Sequence, residues 1–290
     1  MRKKTEELLN LLLWTCERLT RPTFRNLTES WEGWAYRNGL LHQLDRLTSQ
    51  RLIEARKSGR SKQAPVWRLS EAGRIHALGG RDPVKEWARS WDDRWRLVIF
   101  DVPIQQNLVR DRIRRKLRAR GFGLLQESVW VTPHSLPAES EWLPDPGTKG
   151  SVLFLESEPC EGYKHEDVVN VAWDFVRINQ LYSDYLAVLG DQPTGPISDE
   201  VSANAMRAWG KREHRAWLDA VAADPLLPER LLPPGYLGKI AWSARAAALN
   251  TAARSAVGSP PVNLAIPPNR SALARNPARR RRKRRPSGNL

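Results

Sequence analysis

The segment from Trp95 to Pro133, WRLVIFDVPIQQNLVRDRIRRKLRARGFGLLQESVWVTP, constrains the fold more than any other part of the chain. Its opening run, Arg94 to Asp101, is apolar and β-branched, too short for a helix and stopped at Pro103, so it predicts a strand. Val109, Ile113 and Leu117 then recur at i, i+4 and i+8, which predicts a helix with one apolar stripe. Around that stripe stand Arg110, Arg112, Arg114, Arg115, Lys116, Arg118 and Arg120. Gly121 and Gly123 end the helix, and Leu124 to Thr132 resumes strand character up to Pro133. His134 to Gly150 is rich in Pro and acids and reads as a loop; a third strand is expected at Ser151 to Glu156.

At 290 residues, two or three small domains are expected. No apolar run approaches the roughly 20 residues that a membrane span needs, so a soluble protein is expected. The N-terminal MRKKTEELLNLLLWTCERL is interrupted by Glu6, Glu7 and Glu17 and reads as an amphipathic helix rather than a signal peptide. Cys16 and Cys160 are the only cysteines; a disulfide framework is excluded and a reducing cytoplasm fits. The net charge of +15 points toward a polyanionic partner. Nine Lys or Arg and no acid lie between Arg270 and Leu290, which leaves only +6 on the rest. The high pI therefore overstates how basic the folded part is.

Residues 1–80 read as a winged helix-turn-helix. Helices are expected near Thr5 to Leu19, Phe24 to Ser30 and Trp34 to Ser49, with Arg21-Pro22 as a break and Leu40, Leu41, Leu44 and Leu47 as the buried face of the third. Arg51 to Ala55 and Pro65 to Leu69 are expected strands flanking a basic turn, the sequence pattern of a wing. Opposite its leucines the third helix carries Arg37, Asn38, His42, Asp45 and Arg46, side chains that can read base edges in a major groove. The turn offers Arg56, Lys57, Arg60 and Lys62 with no acid, which suits phosphates or a minor groove. A solvated helix face and a solvated hairpin are the bland readings; helix and basic wing together favour DNA. Asp82 to Asp93 reads as a packed connector, Glu166 to Leu189 as helical, and Asp191 to Pro196 as a separator before a helix from Asp199 to Ala223. Beyond about 254 the chain is Pro, Ala, Ser and Arg without periodicity and is expected to be disordered.

The order and wording WRLVIFDVP, then GFGLLQESVWVTP, closely resemble the central domain of the PaaX family, transcriptional repressors of phenylacetate catabolism. The resemblance extends to LSEAGRIHALGGRDP (Leu69 to Pro83), to Ala172-Trp173-Asp174 and to DPLLPERLLPP (Asp224 to Pro234). Pattern, composition and resemblance together give an α+β chain: a winged helix-turn-helix (1–80), a connector (81–93), a ferredoxin-like central domain that the resemblance says is shared with the small subunit of CRISPR adaptation complexes (94–174), a helical C-terminal domain (175–253) and a disordered basic tail (254–290). The resemblance further implies a cytoplasmic homodimer that binds double-stranded DNA, represses an aromatic-acid or acyl-CoA catabolic operon, and is relieved by phenylacetyl-CoA or a related aryl-acyl-CoA. For the basic helix three readings stay open: a site for the phosphates of that ligand, with Arg110, Arg114 and Arg118 as contacts; a second nucleic-acid surface; or a cationic helix facing solvent or a dimer partner.

Two other functions compete. One is a metal-dependent nuclease, because an Asp at the place of Asp101 is associated with metal in the CRISPR subunit. One carboxylate cannot build the near-octahedral shell of Mg²⁺, and a turn-stabilising role before Val102-Pro103 is expected instead. The other is a non-specific nucleic-acid-binding protein dominated by its tail. Cys160, His165 and His134 are too loose a set for zinc, and no nucleophile elbow, P-loop or dinucleotide fingerprint occurs, so neither an enzyme, a resident cofactor nor a metal is expected. Trp91, Trp95, Trp130 and Trp142 are expected in the core or an interface.

Overall fold

The computed structural model describes residues 43–56, 66–136, 152–195, 197 and 199–257. The first two predicted helices, most of the third, the wing tip, the segment 137–151 with Trp142, and the tail from 258 lie outside these residues.

Helix α1 (Leu44–Ser49) falls within the third predicted helix and buries Leu47 as its leucine spacing requires. Its end is closed by bonds from Leu52 N to Leu47 O (2.9 Å) and from Arg51 N to Thr48 O (2.9 Å), with Arg51 in the left-handed region (φ 56°). That closure delays the first strand, expected from Arg51, until β1 (Ile53–Arg56), which pairs antiparallel with β2 (Val66–Leu69) from Ile53↔Leu69 to Arg56↔Val66. Ser70 then starts α2 (Glu71–Ala77): its Oγ accepts from Gly73 N (3.0 Å) and donates to Arg51 O (2.7 Å). One hydroxyl thus ties the start of α2 to the end of α1.

The predicted connector contains α3 (Pro83–Trp87), capped by Asp82 and anchored by buried Trp87. The central domain follows as β3 (Trp95–Phe100), α4 (Asn107–Ala119), β4 (Gly123–Gln126), β5 (Val129–Thr132) and β6 (Val152–Ser157). All neighbours in the sheet are antiparallel, in the order β4-β5-β3-β6. Each of β3→β4 and β5→β6 therefore skips over one strand, the interleaved arrangement of a ferredoxin-like sheet. Here the structure corrects one expectation. Leu124 to Thr132 is a hairpin of two strands turning at Glu127-Ser128, with a register shift between Leu124 and Gln126. Neither turn residue is the Gly, Asn or Pro that marks a tight hairpin, so the pattern read as continuous.

Helix α4 covers one face of the sheet, where Ile113 and Leu117 pack with Val98, Phe100, Phe122 and Trp130. The Gly-x-Gly pair closes it for two different reasons. Gly121 (φ 80°) completes a C-terminal motif with Gly121 N to Arg118 O (3.0 Å) and Phe122 N to Leu117 O (3.1 Å). At Gly123 a Cβ would lie 2.6 Å from both Ala172 Cβ and Trp173 Cε2, so only hydrogen fits.

The remaining elements are α5 (His165–Ala172), α6 (Phe175–Gly190), α7 (Glu200–Ala223) and α8 (Gly238–Val257). The helical stretch expected from Glu166 to Leu189 is broken at Trp173, which is extended, and restarts where Asp174 accepts from Arg177 N (2.9 Å). Asp199 caps α7 at the predicted start, accepting from Ser202 N (2.8 Å). One buried cluster runs from Leu47, Ile53 and Ala77 through Trp95 and Val131 to Trp217, Leu227 and Leu249. The architecture is mixed α and β, with a small antiparallel sheet and helices before and after it.

Candidate nucleic-acid and ligand surfaces

Of the eight residues expected to touch DNA, Arg37, Asn38, His42, Lys57, Arg60 and Lys62 lie outside the described residues. Arg46 is half-buried on α1, next to exposed Asp45. Arg56 ends β1 opposite Val66, at the point where the chain enters the basic turn.

The three proposed phosphate contacts lie on α4. Arg110, Arg114 and Arg118 are spaced i, i+4 and i+8, so they form one row about 12 Å long beside the apolar stripe. Arg110 and Arg114 are half-buried and Arg118 is exposed. Arg114 approaches the single acid of the helix, Asp111 (4.0 Å), and the Arg118 guanidinium stands over the Trp130 ring, 5.5 Å from its centroid. Arg110 Nε and Trp130 Nε1 are both buried and make no hydrogen bond. A row of guanidinium forks with few acids nearby can hold phosphate oxygens, which these planar donors match in geometry.

The residues considered for metal are dispersed. Asp101 is exposed just after β3. His165 Nδ1 accepts the Trp95 indole N–H (3.1 Å), and its ring meets Trp91 edge-on at 4.7 Å. Cys160 is exposed. His134 is half-buried, and its imidazole is driven down to about 4 by burial and by the cations Arg89, Arg81 and Arg96. Among the described residues no three His, Cys, Asp or Glu side chains gather where a metal ion could be held. Trp95 and Trp130 are buried as expected, and Trp91 is half-buried.

Other polar groups that the sequence analysis did not single out organise the interior. Arg96 points between β3 and the connector, donating to both Asp92 oxygens (2.7 and 2.5 Å), to Glu156 (3.0 Å) and to Pro133 O (3.3 Å). Its bonds hold the Asp92 carboxyl down to about 2. Between α6, α7 and α8, Glu213 accepts from Arg245 Nε (2.7 Å) and the Tyr185 hydroxyl (2.9 Å). Asp224 accepts from the hydroxyls of Tyr182 and Tyr236 and from Leu226 N. Burial pushes its carboxyl above the usual range, and those hydrogen bonds pull it back. Arg96 was the one residue with a sequence signal, a cation inside a run of buried strand positions. The others depend on contacts across long separations.

The residues of the sheet, of α4 and of the Gly-x-Gly closure fall within a match to a known family. Residues 88–169 match the family model described as the PaaX protein central Cas2-like domain. The PaaX match begins within the connector and ends within α5, so it takes in the whole sheet together with α4. Among solved structures the chain is similar to the uncharacterized protein Rv0674 from Mycobacterium tuberculosis, at 20% identity over 75% of this chain and 82% of that one, with a TM-score of 0.45. No curated protein matches the chain. Among the described residues no helix is long and apolar enough to cross a membrane.

Proposed function

We propose that the protein is a transcriptional regulator: a cytoplasmic, homodimeric repressor whose winged helix binds a promoter and whose release is governed by an aryl-acyl-CoA. The match of residues 88–169 to the PaaX central-domain model supports this reading, because the resemblance to that family implies a regulator. The helix, antiparallel hairpin and helix of residues 44–77 support it, because the hairpin flanks the basic turn that a wing requires.

On this reading the work is divided along the chain. Residues 1–80 bind DNA, 81–93 connect, 94–174 and 175–253 dimerise and take the effector, and the tail from 254 adds non-specific attraction to phosphate. Arg37, Asn38, His42 and Arg46 read bases; Arg56, Lys57, Arg60 and Lys62 hold the wing to the backbone. Arg110, Arg114 and Arg118 receive the phosphates of the coenzyme. Release needs an effector with different affinities for the DNA-bound and unbound conformations, since equal affinity shifts nothing.

The experiment is a titration of the complex between full-length protein and duplex from upstream of its own gene. Phenylacetyl-CoA at micromolar to millimolar concentration is expected to release the DNA, and phenylacetate is not. Arg114→Ala combined with Arg118→Ala should raise the thioester concentration needed by roughly tenfold or more, given about 1.5–3 kcal/mol per charged hydrogen bond. A complex unchanged by the thioester would remove the effector assignment.

A further inference from the structure

The C-terminal end of α7 is where the N-terminal module, the central domain and the C-terminal helices meet. Helix ends expose carbonyls that their own helix does not satisfy, at the negative pole of its dipole. Here the guanidinium of Arg81 supplies the donors: Nη1 to Pro225 O (3.0 Å), and Nη2 to Val221 O (2.8 Å) and Asp224 O (2.5 Å). Arg81 stands four residues after the end of α2, so this one side chain ties the exit of the N-terminal module to α7.

The strap that leads to it is fitted along the same helix. Trp217 Nε1 donates to Leu78 O (3.3 Å). Gly79 has φ 95°, and a Cβ there would lie 3.2 Å from Leu218 Cδ2. On the other side of the corner, Asp224 is buried and takes the hydroxyls of Tyr182, from α6, and Tyr236, which precedes α8. A third side faces the central domain, where a Cβ on Gly121 would lie 3.2 Å from Pro225 O. Leu226 follows in the left-handed region (φ 53°), a conformation that non-glycine residues adopt only when surroundings impose it.

We propose that this corner is the coupling joint of the molecule: the grip of Arg81 on the Val221, Asp224 and Pro225 carbonyls makes the N-terminal module answer to the bonds that Tyr182 and Tyr236 make to Asp224. The three carbonyls belong to one short turn, so a shift of that turn breaks the bonds of Arg81 together. The joint therefore gives way as one unit rather than bond by bond, and such a unit is the kind of element that carries coupling between distant sites. Its consequence for DNA rests on the regulator reading above; the mechanical coupling does not.

Amide hydrogen exchange of the full-length protein in a double-mutant cycle decides it. Tyr182→Phe removes one hydroxyl from Asp224 at constant shape and should speed exchange severalfold at the β1 and β2 amides. Arg81→Lys, which keeps the charge but loses the fork, should speed the same amides. Adding Tyr182→Phe to the Arg81 variant should then change them no further, because the link is already cut. Arg81→Ala should repeat the result with a larger first step, and Arg81→Lys carries the cycle if the alanine variant does not fold. Additive effects at β1 and β2, or faster exchange in α6 and α7 with none at β1 and β2, would overturn the proposal. Duplex-DNA binding by the wild type is measured alongside. If there is none, the regulator reading fails while the exchange cycle still decides the joint.

Discussion

A Cβ on Gly73 would lie 1.9 Å from the carbonyl oxygen of Leu52, a backbone atom that cannot rotate away. Gly73→Ala must therefore lift α2 off the corner between α1 and β1, and should cost about 2–3 kcal/mol in denaturant unfolding, the range of overpacked interiors. Gly190, with no atom within 4 Å of a Cβ, is the control; Gly190→Ala should stay within about 1 kcal/mol of wild type. Two histidines make a second prediction at this scale. Burial, with Arg89, Arg81 and Arg96 beside one and Arg245 beside the other, drives His134 and His214 down to about 4. In the unfolded chain they regain an ordinary value near 6.5, so between pH 6.5 and 4 the unfolded state binds more protons. Stability should be insensitive to these groups above pH 6.5 and fall as the pH drops through that window. His214→Asn should flatten the fall by on the order of 2–3 kcal/mol, read as the pH dependence of the urea midpoint. An unchanged slope would mean that His214 is protonated in the fold.

Among the elements, those with a periodic pattern were legible and those closed by a single side chain were not. The stripe of Val109, Ile113 and Leu117 locates α4, and the helix expected after the Asp191 to Pro196 separator is α7. The hairpin at Glu127-Ser128 was missed because no turn residue announces it, and the break at Trp173 because Asp174 caps α6 in the middle of a helical pattern. Long-range bonds were beyond reach altogether. Glu213 and Arg245 are thirty-two residues apart and both fully buried, joining α7 to α8. Removing one partner strands a charge in the interior, so Arg245→Met or Glu213→Gln should each cost about 3–5 kcal/mol. The double variant Glu213→Gln with Arg245→Met should lose less than the sum of the single changes, because no charge is left behind. Calorimetry of the four proteins reads the coupling; strict additivity would mean that the pair does not act as one.

For the whole molecule, the central sheet was readable because its order of strand, basic helix and glycines is compact in sequence, and residues 88–169 match the PaaX central domain. The packing of that domain against its neighbours was not. Trp95 and Val131 share a buried cluster with Leu47 at one end of the chain and Leu249 at the other. On the proposed function, such a continuous core would link ligand and DNA acting on different parts of one chain. The candidate base-reading residues Arg37, Asn38 and His42 lie outside the described residues, and base contacts follow from how a helix enters a groove. The most direct measurement is therefore the affinity of the full-length protein for duplex from upstream of its own gene and for scrambled duplex of the same length and composition, at physiological salt. The account predicts that wild type prefers the upstream duplex by about 10³-fold or more. Asn38→Ala should lose about 1–3 kcal/mol of that preference while binding scrambled DNA as before. Equal affinity of the wild type for both duplexes, with the same salt dependence, would contradict it.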